Sequence, residues 1–365
     1  MKGIRKEILD FSPYFPGLSI EEIEKRYNLT NVIKMASNEN PLGPSPVVED
    51  EIIRYSSLCF RYPRGGNPDL RKKLSKKLDV PEDNIVVGNG SDEIIDLLIR
   101  VLCTPYKDNI VVCEPSFSIY RMQAKVQGID VRYVPLCPDF SFDFKNMLQA
   151  IDLDTKIVFI TNPDNPSGYT VRSREILNFL HRIPSHTLLI VDEAYVEFCD
   201  DPMEISCVSD VINCDNLGVI RTFSKLYGLA GLRIGYGIVP HWLADYILRI
   251  RLPFSVNILA ERTGMAVLDD DDFIELTRET VIQGRRYLSK ALEDLGCIVM
   301  PSQANFLMFK PPMGSNFVFN ELLRQGIIIR PLTSYGLDEF LRVSVGRMDE
   351  NKIFVQTLKK ILRKI

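Results

Sequence analysis

The sequence predicts an α/β fold, with a large domain on a mostly parallel, doubly wound sheet and a smaller α+β domain after it. Short apolar runs alternate with helical segments along most of the chain. The apolar runs are continuous instead of alternating with polar residues, which indicates strands that helices cover on both faces. Polar motifs directly follow these runs, and open α/β sheets bind their ligands at the carboxyl ends of strands.

The large domain is predicted to begin with a loop and a helix, after which strands and helices alternate. The loop 38–46 cannot be helical, because it holds three prolines and a glycine. An amphipathic helix is predicted over 68–78, and a strand that begins at Asn84 leads through a glycine turn into a second helix. Further strands are predicted at 109–113, 156–160, 187–191 and 217–220. We expect this domain to span 37–268.

The pattern changes after residue 268, where a long helix is followed by short strands. The helix is predicted from Asp269 to about Leu295, and a last helix closes the chain over 351–362. Short strands are predicted at 297–300, 305–309, 327–329 and 340–345. This mixture predicts a small α+β domain over 269–365, and we expect the N-terminal segment, 1–36, to pack with it.

The composition argues against several classes of function. The 365 residues carry a formal net charge of −4 and no long apolar run, so neither nucleic acid nor a membrane is an expected partner. The eight cysteines form no Cys-x-x-Cys pair, which predicts reduced thiols in a cytoplasmic protein. With only three histidines, a Ser-His-Asp triad or a metal centre is poorly supported, and we expect no metal.

The segment 222–236 contains the strongest candidates for chemistry. Ser224, Lys225 and Arg233 lie among glycines and apolar residues directly after a predicted buried strand. Burial would lower the pKa of this lysine and free its amine to form a Schiff base. The alternative is a loop lysine beside a phosphate or a carboxylate, and this segment alone does not separate the two interpretations.

Two further motifs narrow the chemistry. The turn 88–93, Gly-Asn-Gly-Ser-Asp-Glu, opens a helix with Ser91 as its predicted N-cap, and free N–H groups there would bind an anion. Asp192 ends a buried strand, where a carboxylate can bind a metal, an NAD ribose or a protonated ring nitrogen. The turn lacks the third glycine of the dinucleotide fingerprint. Pyridoxal phosphate suits this set, since it needs an amine, a carboxylate and donors for its phosphate.

The ordered set of motifs resembles a known family. Asn-Pro-x-Asn-Pro-Ser-Gly at 162–168, Asp-Glu-Ala-Tyr at 192–195 and Ser-Lys-(x)7-Arg at 224–233 resemble the fold-type I aminotransferases that use pyridoxal phosphate. Within these, the chain is similar almost end to end to the histidinol-phosphate aminotransferases. The matches that distinguish this group lie at 13–17, 38–46, 61–63, 88–93, 330–331 and 341–346.

The resemblance implies roles around the cofactor. Lys225 would hold pyridoxal phosphate as a Schiff base and move the proton between Cα and C4′, while Asp192 keeps the ring nitrogen protonated. Asn165 and Tyr195 would bond the ring oxygen O3′, and Phe117 would stack on the ring. The groups implied at the cofactor phosphate are Ser91, the backbone N–H of Asp92, the adjoining Glu93, Ser224, Arg233 and, from the second subunit of a homodimer, Tyr62.

The resemblance also implies how small-molecule substrates bind. Arg342 would pair bidentately with the α-carboxylate, a geometry that lysine does not reproduce. Arg330, with Tyr14, would bind the distal phosphate of L-histidinol phosphate or the distal carboxylate of glutamate, and Asn38 belongs to the same substrate group. The implied reaction exchanges an amino group between L-histidinol phosphate and 2-oxoglutarate, a step of histidine biosynthesis.

Other functions stay open from the sequence. An aromatic aminotransferase or a threonine-phosphate decarboxylase would use the same scaffold, because the sequence does not show which substrate bond lies perpendicular to the ring. A regulatory module without catalysis would have lost the lysine or carried a fused DNA-binding domain. An NAD-linked dehydrogenase would bind nicotinamide and show no absorption from a Schiff base.

Overall fold

The computed structural model describes residues 3–9, 11 and 17–363. Its strands are β1 Ile33–Lys34, β2 Ile85–Gly88, β3 Asn109–Glu114, β4 Asp130–Pro135, β5 Thr155–Thr161, β6 Leu188–Asp192, β7 Leu217–Thr222, β8 Gly235–Ile238, β9 Ile298–Val299, β10 Phe306–Lys310, β11 Ile327–Ile328, β12 Arg330–Pro331 and β13 Leu341–Ser344. Its α-helices are α1 Lys6–Leu9, α2 Ile20–Tyr27, α3 Pro46–Tyr55, α4 Pro68–Leu78, α5 Ser91–Leu102, α6 Ile119–Val126, α7 Phe144–Ala150, α8 Ser173–Leu180, α9 Pro202–Ile205, α10 Val208–Val211, α11 His241–Ile250, α12 Ile258–Val267, α13 Asp271–Asp294, α14 Ser315–Arg324 and α15 Met348–Leu362.

The largest sheet is mostly parallel and doubly wound, which confirms the α/β fold class. Its strand order is β2-β8-β7-β6-β5-β3-β4, and β8 is the strand that runs antiparallel to its neighbours. Alternate residues of β6 face two different hydrophobic cores, with Leu189 and Val191 in one and Leu188 and Ile190 in the other. Helices therefore cover both faces, which is why the strands carry continuous apolar runs.

Five strands of this sheet lie where the sequence predicts them, and the other two give no clear signal. β2 begins one residue after Asn84, and β3, β5, β6 and β7 match the apolar runs to within two residues at each end. β4 is an edge strand in which only Val131 and Val134 are buried, and β8 contains Gly235 and Gly237. A Cβ at Gly235 would lie 2.4 Å from the backbone nitrogen of Ser91, so the glycine lets α5 approach the sheet.

The C-terminal part of the chain forms a four-stranded antiparallel sheet in the order β12-β13-β10-β9. The strand predicted over 327–329 is β11, which pairs with β1, and a further short strand that the sequence does not predict, β12, follows it and pairs with β13. Ile33 lies opposite Ile327, so the N-terminal part of the chain is joined to the C-terminal part by a parallel strand pair. α15 begins at Met348, three residues earlier than the sequence suggests, since Glu350 accepts from the backbone of Arg347 at 2.8 Å.

Candidate active site

A cavity of about 230 Å³ lies where several parallel strands end at the same edge of the large sheet. Thr161, Asp192 and Thr222, the last residues of β5, β6 and β7, all line it. Most of the side chains that the sequence singles out line this one space. They are Ser91, Asp92, Phe117, Asn165, Asp192, Tyr195, Ser224, Lys225 and Arg233.

Asp192 lies on one wall of the cavity, held by the end of β6. The residue is 2% exposed, and burial raises the pKa of its carboxyl to about 6. The Tyr120 hydroxyl donates to Oδ2 at 2.6 Å, and the Ala194 N–H donates to Oδ1 at 3.1 Å. Both hydrogen bonds favour the charged carboxylate and oppose part of the effect of burial.

Lys225 lines the same cavity from the loop that follows β7. Burial lowers the pKa of its ammonium to about 8, and the nearby guanidinium of Arg342 acts in the same direction. Nζ donates to the carbonyl oxygen of Ser37 at 3.2 Å and lies 5.9 Å from the centre of the Tyr195 ring. A lysine with this pKa is neutral often enough near neutral pH to act as a nucleophile.

The start of α5 forms an anion-binding wall. Gly90, not the predicted Ser91, is the N-cap, and Ser91 is the first helical residue. Gly90 has a φ of +77°, and a Cβ there would lie 2.6 Å from Nη2 of Arg233. Glycine thus permits both the left-handed backbone and the close approach of the guanidinium. The free N–H groups of the helix, this guanidinium and the hydroxyls of Ser91 and Ser224 face one space.

Arg233 is also paired with a carboxylate at this wall. Its Nη2 donates to Oδ2 of Asp92 at 3.0 Å, and both side chains are partly exposed. Burial raises the pKa of the Asp92 carboxyl, while Arg233 opposes that rise. The guanidinium is therefore oriented by Asp92 and still reaches the cavity.

Tyr195 is held by Asn38, which lies in the loop after β1. Asn38 Nδ2 donates to the Tyr195 hydroxyl at 3.1 Å, and burial raises the pKa of that hydroxyl. The backbone N–H of Asn38 donates to Ser344 Oγ at 2.8 Å, and its carbonyl accepts from Asn305 Nδ2 at 3.0 Å. Ser344 belongs to β13 and Asn305 directly precedes β10, so the small sheet holds Asn38 and, through it, Tyr195.

Arg342 projects from β13 and is 6% exposed. Its Nη1 donates to Asn165 Oδ1 and its Nη2 donates to the carbonyl oxygen of Ala36 at 3.1 Å. Its guanidinium carbon lies 5.0 Å from the centre of the Phe306 ring. Nε is buried and has no acceptor among the described residues. A buried donor in this state costs about 1–3 kcal/mol, so the group is suited to an incoming carboxylate.

Two predicted side chains face other surroundings. Oε2 of Glu93 accepts from the Asn89 N–H at 2.5 Å and from the Ser255 hydroxyl at 2.9 Å, so the carboxylate braces the turn before α5. Arg330 lies opposite Arg342 across β12 and β13. It lines a neighbouring cavity of about 960 Å³.

Tyr62 does not line the cavity within this chain. Tyr62 is 81% exposed, and its ring stacks on Phe254 with centroids 4.7 Å apart. Tyr14 lies outside the described residues.

Four further side chains that line or support the cavity are not among the candidates that the sequence singles out. Tyr120 lies in the first turn of α6, three residues after Phe117, and donates to Asp192, a contact that no local pattern in the sequence signals. Thr161 is the last residue of β5. Ser37 and Glu39 flank Asn38, and the Glu39 carboxylate accepts from Lys34 at 2.8 Å.

Three further observations concern metals, thiols and membranes. In the part of the chain that the structure describes, no group of three or more His, Cys, Asp and Glu side chains could hold a metal ion. All eight cysteines are free thiols. None of the described helices combines the length and the apolar character needed to span a bilayer.

Comparison with known proteins agrees with this geometry. The sequence model described as "Aminotransferase class I and II" matches residues 30–358. Histidinol-phosphate aminotransferases of Nitratidesulfovibrio vulgaris and Oleidesulfovibrio alaskensis are 52% and 50% identical to this chain, over 98% and 99% of it and 96% and 95% of their own lengths. The crystal structure of histidinol-phosphate aminotransferase from Sinorhizobium meliloti in complex with pyridoxal-5′-phosphate is similar with a TM-score of 0.89, at 24% identity, covering 100% of this chain and 98% of that one. The chain belongs to the class I and II aminotransferase family.

Proposed function

We propose that this protein is a pyridoxal-phosphate-dependent aminotransferase that exchanges an amino group between L-histidinol phosphate and 2-oxoglutarate. The observation that carries the proposal is one cavity lined by both a half-buried lysine and a buried aspartate at the ends of neighbouring strands. Relatives that share half of its residues over almost the full length carry this name, which favours histidinol phosphate over other amino donors.

The donors present fit the phosphate of the cofactor. A phosphate dianion requires several hydrogen-bond donors and compensating positive charge. Ser91, Ser224, the N–H groups at the start of α5 and Arg233 would supply them. The absence of a side chain at Gly90 leaves room for the guanidinium beside the helix start.

Lys225 and Asp192 would hold the opposite ends of the cofactor ring system. When bound, pyridoxal phosphate supplies an aldehyde and a protonated ring that takes up the electron pair left at the substrate's Cα. Lys225 Nζ would bind the aldehyde carbon and, once released, carry the proton that leaves Cα. The Asp192 carboxylate would keep the proton on the ring nitrogen. A pKa near 8 suits the lysine to both tasks.

Other residues would orient the ring. Asn165 and Tyr195 would bond its O3′ oxygen, and Phe117 would cover one face. Asn165 also accepts from Arg342, so the group that would orient the ring is coupled to the group that would bind the substrate.

Arg342 and Arg330 would bind the two carboxylates of glutamate, and Arg330 would bind the phosphate of L-histidinol phosphate, which has no carboxylate. Arg342 has a buried guanidinium and an Nε without an acceptor among the described residues, which suits an α-carboxylate. Arg330, with Tyr14, would bind the distal phosphate or the distal carboxylate of glutamate. The two arginines lie on neighbouring strands and in direct register, so their spacing is set by the small sheet.

We also propose a homodimer in which Tyr62 of the partner subunit completes the phosphate site. Large apolar side chains around this position are strongly exposed, including Phe60 at 76%, Tyr62 at 81% and Leu252 at 65%. Exposed apolar groups of this kind mark interfaces. Mixed dimers of Lys225→Ala and Tyr62→Ala chains should then regain activity, because one of their two sites has both native residues. No regain on mixing would contradict the shared site.

The proposed division of the chain is an N-terminal segment, 1–36, a large domain, 37–268, and a small domain, 269–365. The β1–β11 pair supports the union of the first with the last. α12 contacts α3 and α4, whereas α13 contacts β10 and α15, which supports a boundary between these two helices. The free thiols support a cytoplasmic location.

A substrate panel on the purified protein tests the function. With pyridoxal phosphate and 2-oxoglutarate present, histidinol phosphate should give glutamate at a far higher kcat/KM than phenylalanine, tyrosine or threonine phosphate. Preference for an aromatic amino acid would instead assign an aromatic aminotransferase. Carbon dioxide released from threonine phosphate without consumption of 2-oxoglutarate would assign a decarboxylase.

A further inference from the structure

Tyr120 is buried directly behind Asp192. It lies on α6, is 1% exposed, and donates its hydroxyl hydrogen to Asp192 Oδ2 at 2.6 Å. The hydroxyl of Thr161 lies 2.8 Å from the same phenol oxygen. A phenol has one hydrogen, and here Asp192 accepts it, so Thr161 must donate to Tyr120. The three side chains form a directed chain of hydrogen bonds that ends on the carboxylate.

The ring of Tyr120 supports a second wall of the cavity. It stacks on Phe159 with centroids 4.6 Å apart and meets Phe117 edge to face at 5.7 Å. Phe117 lines the cavity, whereas Tyr120 does not. One buried side chain therefore supports both the carboxylate and the aromatic ring on which the cofactor would lie.

We propose that Tyr120 is a positioning residue, which holds Asp192 ionised and turned toward the ring nitrogen of the cofactor, with Thr161 orienting its hydroxyl. The inference rests on the proposed function, since it assumes that pyridoxal phosphate occupies the cavity. Tyr120 touches neither substrate nor cofactor and acts through Asp192 and Phe117.

The charges around Asp192 leave this role to Tyr120. Asp92 on α5 and Glu193, which directly follows Asp192, both disfavour a negative charge on Asp192, and burial does so most strongly. The cations Lys225 and Arg233 line the same cavity. The Tyr120 hydroxyl is the largest influence that lowers the pKa of Asp192. The pKa of Tyr120 itself is raised well above its usual value, so the phenol stays a donor.

The variant Tyr120→Phe tests the proposal, because it removes the hydroxyl and keeps the ring contacts. Pyridoxal phosphate is titrated into apoprotein between pH 5 and pH 8.5, and binding is followed by absorbance. Loss of the Asp192 charge on acidification should weaken binding. In Tyr120→Phe we expect the midpoint of this loss to rise by about one pH unit, the effect of one hydrogen bond to a charged group.

Two other variants separate positioning from stability. Thr161→Val should also raise the midpoint, by a smaller amount. This variant tests the inference if Tyr120→Phe does not fold. Tyr236→Phe removes a hydroxyl from another residue that is 1% exposed, on β8 and away from the cavity lining, so it should lower thermal stability without moving the midpoint.

The outcomes are distinct. An unchanged midpoint in Tyr120→Phe and Thr161→Val, with normal binding by the wild-type protein, overturns the inference and leaves the proposed function intact. An equal shift in Tyr236→Phe overturns it too, since the effect would then be structural. Failure of the wild-type protein to bind pyridoxal phosphate overturns both.

Discussion

The two ends of the candidate active site are built in different ways. At the cofactor end, Asp192 ends β6, Lys225 follows β7 and Ser91 follows β2, so strands of the one large sheet bring them together. At the substrate end, contacts join distant parts of the chain, as between Asn38 and Ser344, which are 306 positions apart. The cofactor end thus depends on one sheet, and the substrate end depends on how the small sheet packs against it. Changes at the first should affect every substrate, and changes at the second should discriminate between them.

The largest effect is expected from Lys225→Ala. Loss of the amine removes both the attachment of the cofactor and the proton carrier, so turnover should fall by at least about 10³-fold for every amino donor. Single-turnover assays with histidinol phosphate and with glutamate measure the loss, and thermal unfolding checks that the fold is kept. Activity within tenfold of the wild-type protein would refute the proposed role.

Arg342→Lys should come next. Lysine keeps the charge but does not reproduce the two-pronged contact, so kcat/KM for amino acids that carry an α-carboxylate should fall roughly 10- to 100-fold. L-Histidinol phosphate has no carboxylate, so its half-reaction should be less affected than that of glutamate. Equal losses in the two half-reactions would show that Arg342 acts on the cofactor side of the site.

Arg330→Gln should discriminate in a different way. Removing the cation should weaken the binding of the distal phosphate of histidinol phosphate and of the distal carboxylate of glutamate. We therefore expect KM to rise roughly tenfold for both substrates. Phenylalanine carries no distal anion, so its slow turnover serves as the internal control and should not change. A similar loss with phenylalanine would contradict the assignment.

The smallest expected effect concerns the pKa of Lys225 at the cofactor end, which Arg342 at the substrate end helps to lower. An amine is nucleophilic when neutral, so the rate at which apoprotein reacts with pyridoxal phosphate should rise with pH and level off above about 8. Arg342 helps to lower this pKa, and Arg342→Gln should therefore move the midpoint up by roughly 0.5–1 pH unit. A stopped-flow series over pH measures this midpoint. An unchanged midpoint in Arg342→Gln would show that the charge of Arg342 does not influence Lys225.

Much of the cofactor end could be predicted from the sequence, because its signals are local. A buried parallel strand is a continuous apolar run, and a functional group placed just after it is visible in the sequence, as for Lys225 after β7. The glycine turn before α5 is equally local, although the N-cap proved to be Gly90. The sequence gives weaker signals for β4, which is partly exposed, and for β8, where glycines replace the apolar residues of a usual strand.

The sequence by itself determined the fold class, the order along the chain of most strands and motifs, and many of the side chains that line the cofactor end. Only the tertiary structure decided that Tyr120 bonds Asp192, that Asn38 holds Tyr195, and that Arg342 bonds Asn165. Strand periodicity and turn chemistry act over a few residues and leave a pattern in the chain. A hydrogen bond between residues 177 positions apart leaves none, because its geometry exists only after both sheets have packed.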